Sequence, residues 1–349
     1  MNHQTNNSDQ PRTFAKVARK FALYLNLVVG LGLIVVHTVQ NDWLAPITMI
    51  PPWIWLIPAG ILLLISRSVL TRKLVVLTLL VWLSFVILFA EEARSLVRFR
   101  SLPEQTANSQ TVRIATLNCN IGSRNAALEL RKYSPDIVLL QESPNEITLA
   151  EIGTELFGQN AQYATTGDAS IITNGKLKLI NPSNTAHFCH ALVTLADGRQ
   201  ADVVSLRLSP PVFLVDFLSG KFWKDHYQTR VKHREQLQAI VDHLNQSATT
   251  DCWIIGGDFN LVGGDGSLSP LGSFQDTFHQ SGSGWCNTGT SDYPLFRVDQ
   301  IWVRGNVRST VNKTFRTIHS DHRAVVTDLI EFGESVSYTH LTLPTIYSV

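Results

Sequence analysis

Cys252-Trp253-Ile254-Ile255-Gly256-Gly257-Asp258-Phe259-Asn260 is an apolar run that stops at a glycine pair and then presents a carboxylate and a carboxamide. Such a run reads as a buried strand that delivers polar chemistry at its end. Four other segments share the layout. Residues 111–120 (TVRIATLNCN) end in two asparagines, and residues 136–142 (DIVLLQE) end in a glutamate. Residues 297–303 (RVDQIWV) set an aspartate inside an apolar run, and Ser320-Asp321-His322 immediately precedes the run 324–330. Singly, each has a plain reading: a solvated strand end for Glu142, an Asx turn for residues 258–260, an edge charge or a paired buried carboxylate for Asp299, a surface histidine for His322. Five in one chain point to a single site assembled at strand ends.

Around these strands, residues 126–133 and 147–157 read as helices. Residues 227–245 place Val231, Leu237, Ile240, Val241 and Leu244 near helical intervals with charges opposite. Further strands are expected at 169–173, 191–195, 201–208, 298–303 and 324–331. The mixture indicates a layered α/β or α+β domain.

In order and spacing, residues 111–332 resemble the endonuclease/exonuclease/phosphatase superfamily. The resemblance implies a four-layer sandwich, two mixed β-sheets packed face to face with helices outside, and one phosphate-binding cleft. Its motif positions fall here on Asn118, Glu142, Asp258 with Asn260, Asp299, and Asp321 with His322. By that carry-over Glu142, Asn118 and Asp321 surround Mg²⁺, with Mn²⁺ as the alternative; Glu142 and Asn118 offer the hard oxygens such ions prefer. Asp299 orients His322, Asp258 positions or deprotonates the attacking water, and Asn260 bonds the phosphate. Whether Asp258 or His322 is the formal base stays open, as coupled groups often leave it. Strand alternation puts Asn118 and Asn120 on one face, which makes Asn120 a further cleft candidate. One position departs. Where many members carry a histidine in an H-L-x-P-P-like stretch, residues 205–211 read SLRLSPP, so Arg207 stands in its place. It is either a bidentate phosphate clamp or the mark of a lost activity.

Ahead of this domain the chain changes character. A basic tail, 1–20, precedes three apolar runs at 21–39, 50–65 and 74–90, read as transmembrane helices; a cleaved signal peptide would explain only the first. The tail carries Arg12, Lys16, Arg19 and Lys20, and the second loop Arg67, Arg72 and Lys73, against Asp42 alone in the first loop. The positive-inside rule then puts the N-terminus in the cytoplasm and the catalytic domain outside, with Arg94, Arg98 and Arg100 pulling the other way. Trp53 and Trp55 read as interfacial aromatics, and residues 91–110 as a linker. Three spans before such a domain resemble the bacterial teicoplanin-resistance-type membrane phosphatases. That implies a multi-pass protein of the plasma (inner) membrane and a lipid-linked phosphate or pyrophosphate substrate, such as a polyprenyl carrier. The rivals are an extracytoplasmic nuclease and a degenerate phosphate-binding module.

Charge bears on the choice. Residues 111–334 carry 19 basic against 23 acidic side chains, a net of −4, which argues against gripping extended nucleic acid. The apolar stretch 212–223 (VFLVDFLSGKFW) reads as a core helix or as a membrane-touching lip with Phe213, Phe217, Phe222 and Trp223. Cys119 and Cys252 read as buried thiols, while Cys189 and Cys286 leave a disulfide open. Residues 335–349, His340 included, continue no pattern and read as non-native sequence.

Overall fold

Period-two alternation in the strands decides what the fold buries between its layers. In β1 (Val112–Asn118), Val112 and Ile114 turn to one side and Ala115 and Leu117 to the other. The same split holds in β2 (Ile137–Gln141), where Ile137 and Leu139 oppose Val138 and Leu140. The computed structural model describes residues 9–69, 71–104, 111–180, 187–212 and 216–331. Within them the remaining strands are β3 (Gln162–Thr165), β4 (Ala169–Thr173), β5 (Lys176–Leu179), β6 (Phe188–Thr194), β7 (Gln200–Arg207), β8 (Trp253–Asp258), β9 (Gln275–Asp276), β10 (Asp299–Arg304), β11 (Arg308–Phe315) and β12 (Ala324–Ile330). They form two six-stranded sheets, ordered β11-β12-β1-β2-β4-β3 and β5-β6-β7-β8-β10-β9. Both are mixed: β1 pairs with β2 and β7 with β8 in parallel, and the other ladders run antiparallel.

One core lies between the sheets, built from Ile114, Leu139, Ile171, Val203, Ile254 and Ile301. A second covers the outer face of the first sheet, where Leu149 and Ile152 of the helix Glu146–Phe157 meet Leu117 and Leu140. The third covers the outer face of the second sheet, where Leu237, Ile240 and Leu244 of the long helix Gly220–Ser247 meet Val204, Leu206 and Ile255. These are the four layers that the resemblance implies. The glycine pair is needed for them to close. A Cβ on Gly256 would meet Leu139 Cδ1 of the facing sheet at 2.6 Å, and one on Gly257, at φ +145°, would meet the Leu206 carbonyl oxygen at 2.0 Å.

The first sheet also contains a buried ion pair. Arg113 and Asp328 stand opposite each other across β1 and β12, with Nε to Oδ1 at 2.6 Å and NH2 to Oδ2 at 2.9 Å. Arg113 also donates to the Tyr133 carbonyl at 2.8 Å. Asp328→Ala would leave the guanidinium buried and unpaired. We expect it to lower unfolding stability by about 3–5 kcal/mol, read by denaturant titration of the full chain; a loss under 1 kcal/mol would contradict the pairing.

The N-terminal segments are α1 (Asp9–Val39), α2 (Ala45–Thr48), α3 (Leu56–Ser66), α4 (Arg72–Phe89) and α5 (Glu91–Ser95). Thr13–Val39 within α1, and α4, are long and apolar enough to cross a bilayer. Asn26, buried among the helices, joins them: its Nδ2 donates to the Ala59 carbonyl at 3.1 Å and its Oδ1 accepts from Trp82 Nε1 at 2.8 Å. The second expected span, 50–65, falls on a 3-10 turn, Pro52–Trp55, that runs into α3 and forms the second arm of a bent pair. Asp42–Thr48 and Pro52–Ser66 are bent by 71° to each other at the Pro51-Pro52 break, because proline cannot donate the helical hydrogen bond. At 11 residues, α3 alone is about 16 Å long, and the bent pair taken together counts as a third candidate span beside α1 and α4. Trp53, expected as an interfacial aromatic, packs its ring 5.9 Å from that of Trp285 in the two-sheet domain.

Other expectations also shift. Of the stretch read as a linker, 91–104 is described, and it opens with the docked helix α5, where Glu92 and Ser95 are buried. Residues 126–133 divide into a helix, Arg124–Leu128, and a 3-10 turn, Glu129–Tyr133. The helix expected from 227 begins at Gly220, so Phe222 is buried on it while Phe217 and Leu218 stay exposed before it. Strands β3, β5, β9 and β11 were not expected. All four cysteines are buried, and none of them is in a disulfide. Phe213, residue 332, the end of the linker at 105–110 and the stretch 335–349 lie outside the described residues.

Candidate active site

Register brings the second sheet's polar residues into a row. Arg207 at the end of β7 pairs with Asp258 at the end of β8, and Asp258 pairs with Asp299 at the start of β10. All three sit at positions in phase with the inter-sheet core residues Val203, Ile254 and Ile301 of their strands. From the first sheet, Asn118 ends β1 in phase with Ile114, and Glu142 follows Gln141. The two sheets therefore meet at one edge with acid, amide and guanidinium groups between them. Two carboxylates directly opposed in a ladder are destabilising. Their survival here marks a site rather than a scaffold.

The contacts form a chain. Asn118 Nδ2 donates to Glu142 Oε1 at 3.2 Å and to Asp258 Oδ2 at 3.1 Å. Glu142 Oε1 also accepts from Arg207 NH2 at 2.7 Å, and its Oε2 accepts from the Ile121 backbone at 2.7 Å. Arg207 NH1 reaches Asp168 at 3.2 Å. At the other end His322 Nδ1 lies 2.8 Å from Asp299 Oδ2. The Ser320 hydroxyl ties that loop to the first sheet, donating to the Asn118 carbonyl at 2.6 Å and accepting from His322 N at 2.9 Å. Asn260 Nδ2 donates to the Leu208 carbonyl at 2.8 Å, and its backbone N–H to Asp258 Oδ1 at 2.9 Å. Glu142, Asn260, Asn120 and Ile121 all have positive φ, at +44°, +51°, +46° and +57°. Left-handed non-glycine residues are uncommon and concentrate where function holds the backbone.

The charges follow from these neighbours. Burial pushes the Asp258 carboxyl up, to about 6, with the Asp299 charge adding and His322 opposing. Burial disfavours the His322 imidazolium, but Asp299, seconded by Asp258 and Asp321, more than offsets it and raises the pKa to about 10. Burial likewise opposes the Glu142 charge; the Ile121 N–H, Asn118 and Arg207 nevertheless hold it below the ordinary value.

The carboxylate oxygens of the site, those of Asp258, Asp299 and Glu142, are donors of the kind a hard divalent cation takes. Ligand atoms of Asp258, Asp299 and His322 lie within 4.8 Å of one another, and Asp299 Oδ1 is buried without a hydrogen-bond partner. Asn118, expected as a ligand, turns its NH₂ toward the two carboxylates and keeps its oxygen on the Asn120 backbone at 2.9 Å. Ligation by its oxygen needs the amide turned over.

Two expected members stand apart. The strand stops at Asn118, so alternation does not extend to Asn120, which is exposed in the left-handed region. Asp321 is exposed too, and lines a separate cleft with Thr290, Tyr293 and Arg316. Asp168 was missed. Its only signal is the Gly167-Asp168 turn before β4, and nothing in that turn names Arg207 as its partner. Glu142, Asp168 and Arg207 together line an open cleft of about 430 Å³, with Asn145, Thr148 and the exposed Ile121.

A fold of this kind with this row of residues defines a class. The chain belongs to the endonuclease/exonuclease/phosphatase family, whose sequence profile matches residues 115–322. The family includes phosphatases and nucleases that act on phosphoesters, typically with a divalent metal. Among solved structures, the chain is similar to a humanized D. rerio TDP2 carrying 14 mutations, with 17% identity and a TM-score of 0.48 over 63% of this chain and 99% of that one. An endonuclease/exonuclease/phosphatase from Beutenbergia cavernae has 15% identity and a TM-score of 0.48 over 64% and 72%. A mannosyl-6-phosphatase from Bacteroides thetaiotaomicron has 14% identity and a TM-score of 0.47 over 63% and 99%. No curated protein sequence matches the chain.

Proposed function

We propose that this chain is a membrane-anchored, divalent-metal-dependent phosphohydrolase, and that its substrate is a lipid-linked phosphate or pyrophosphate presented at the membrane face opposite its N-terminus. The observation that carries the reading is the register-aligned row Arg207, Asp258 and Asp299 facing Asn118 and Glu142, with His322 held on Asp299. In this reading Glu142 would hold Mg²⁺, or Mn²⁺ in its place, with Asn118 joining it once its amide is turned over; Asp321, exposed on a separate cleft, stays outside that shell. Bound there, such an ion would supply charge neutralisation for the phosphoryl oxygens. Asp258 takes the proton of the attacking water, because Asp299 holds His322 protonated at neutral pH; Asp299 also fixes the imidazole, and Arg207 and Asn260 bond phosphate oxygens.

Topology is argued from charge and contact. Arg19 donates to Ser68 at 3.0 Å, so the basic tail and the basic second loop lie at one end of the helices, as the positive-inside rule expects of a cytoplasmic face. The contrary charges have other uses. Arg94 donates to the Ile87 and Leu88 carbonyls at the end of α4, Arg98 to His279 and Arg100 to Thr310. A domain of net −4 has little long-range attraction for a polyanion, whereas a bilayer delivers a lipid substrate in two dimensions.

The test is hydrolysis by the full chain in lipid nanodiscs. A polyprenyl pyrophosphate, a soluble phosphodiester and plasmid DNA are offered with and without EDTA. The lipid should be cleaved and EDTA should stop it; DNA cleavage at a comparable rate makes the protein a nuclease, and no turnover at all makes it a binding module. Trp223 Nε1 pins the turn before the long helix by donating to the Phe217 carbonyl at 3.0 Å, while Leu218 at its tip is 99% exposed. Replacing Phe217 and Leu218 by serine should therefore cost about a hundredfold or more on the lipid and under twofold on the soluble ester, since each buried apolar side chain contributes roughly 1.5–3 kcal/mol and about 1.4 kcal/mol is tenfold. Equal losses remove the lip from the reading.

A further inference from the structure

Both loops that carry the acidic residues of the site land on the ends of the membrane helices. Glu91 follows α4 after the single residue Ala90. Its Oε2 accepts from Arg297 Nε at 2.7 Å and its Oε1 from Arg297 NH2 at 2.8 Å. Arg297 NH2 also reaches Asp276 Oδ2 at 2.6 Å, and His279 Nε2 lies 2.8 Å from Glu91 Oε1. This is no surface pair: side-chain exposure is 14% for Glu91, 3% for Arg297 and 1% for Asp276.

Arg297 stands two residues before Asp299. From the other side, Glu92 Oε1 accepts from Asn287 Nδ2 at 2.9 Å, and the next residue, Thr288, accepts through its hydroxyl from the backbone N–H groups of Val298 at 3.1 Å and Asp299 at 3.0 Å. Consecutive glutamates of α5 thus grip the strand start that places Asp299. Ser95 completes the dock, with its hydroxyl on the Gly284 carbonyl at 2.7 Å and its carbonyl on the Gly284 N–H at 3.0 Å.

The loop that leaves Asp258 and Asn260 meets the same place. A Cβ on Gly263 would lie 2.3 Å from Glu91 Oε2 and 2.4 Å from Arg297 NH2, so only glycine admits the loop against the ion pair. One turn on, Gln40, the residue after α1, donates to the Gly264 carbonyl at 3.2 Å and accepts from the Gly266 N–H at 3.3 Å. Arg230 joins Gln40 to Asp265, and Arg234 holds Asp42 at 3.1 Å.

We propose that Glu91 is a positioning residue of the active site: the end of membrane helix α4 sets the placement of Asp299, and through it the orientation of His322. The catalytic reading of those two residues is the one proposed above, and the inference rests on it for its kinetic consequence only. A side chain that fixes His322 without touching substrate should change turnover and leave substrate binding alone.

The experiment uses the full chain in nanodiscs and a soluble phosphodiester, which removes lipid delivery from the result. Glu91→Gln should lower kcat 10- to 100-fold with KM within threefold of the parent, and Glu91→Asp, which keeps the charge, should recover much of the loss. The ¹⁵N imidazole resonances of His322, identified among the 11 histidines by their disappearance in His322→Gln, should move in Glu91→Gln. An unchanged kcat, or unmoved His322 resonances in a folded variant, overturns the proposal. If the parent itself hydrolyses nothing while the resonances still move, the coupling stands and the phosphohydrolase reading falls.

Discussion

Asp258→Asn is expected to give a folded, more stable and nearly silent protein. The carboxylate sits where it can take a proton from water beside His322, and a positioned base contributes about 10²–10⁴-fold, so kcat on the soluble phosphodiester should fall by that factor. Stability moves the other way. Asp258 titrates at about 6 in the fold against roughly 3.9 in an unfolded chain. Its ionisation is therefore penalised in the folded state, by burial first and by Asp299 second. Below about pH 4 the acid is neutral in both states and the penalty is absent; it grows as pH rises between roughly 4 and 6 and persists above. Asparagine keeps the shape without the charge. Thermal unfolding in EDTA at pH 8 should show the variant more stable by about 1–3 kcal/mol, with no gain at pH 4. A kcat within tenfold of the parent would take the base role away from Asp258.

Glu142→Gln should remove the response to Mg²⁺. A bound cation is worth several kcal/mol of charge stabilisation, and about 1.4 kcal/mol is tenfold in rate, so a loss of about 10³-fold is expected. Calorimetric titration of Mg²⁺ into the variant should show no saturable heat where the parent shows it. The change also turns the 2.7 Å contact of Arg207 into a hydrogen bond to a neutral acceptor, leaving Asp168 as its remaining carboxylate partner. Full activity in the variant, or undiminished activity in excess chelator, would falsify the metal assignment.

Arg207 shows where local reading stops. From sequence it is an arginine where a histidine is common. In the fold it bridges Glu142 and Asp168, two carboxylates at 22% and 33% side-chain exposure, so it neutralises the acid that the resemblance assigns to the metal. A phosphate-clamping role then requires the guanidinium to exchange a carboxylate for a phosphate oxygen, chemistry for which its planar donors are suited. Asn118 shows the same limit. Its position at a strand end was legible, but its amide orientation depends on Asp258, 140 residues away.

By itself the sequence determined where the site strands end, the face that Asn118, Arg207, Asp258 and Asp299 take within them, and the apolar N-terminal helices. Those follow from period-two and helical spacing, which are local properties of the chain. Only the tertiary structure decided that Arg207, Asp258 and Asp299 share a register row, that Asp168 belongs with Arg207, that Asn120 and Asp321 stand apart, and that Glu91 grips the segment holding Asp299. Register across strands separated by tens of residues, and ion pairs spanning about 200, are set by loop closure and layer packing. No periodicity within a single segment records either of them.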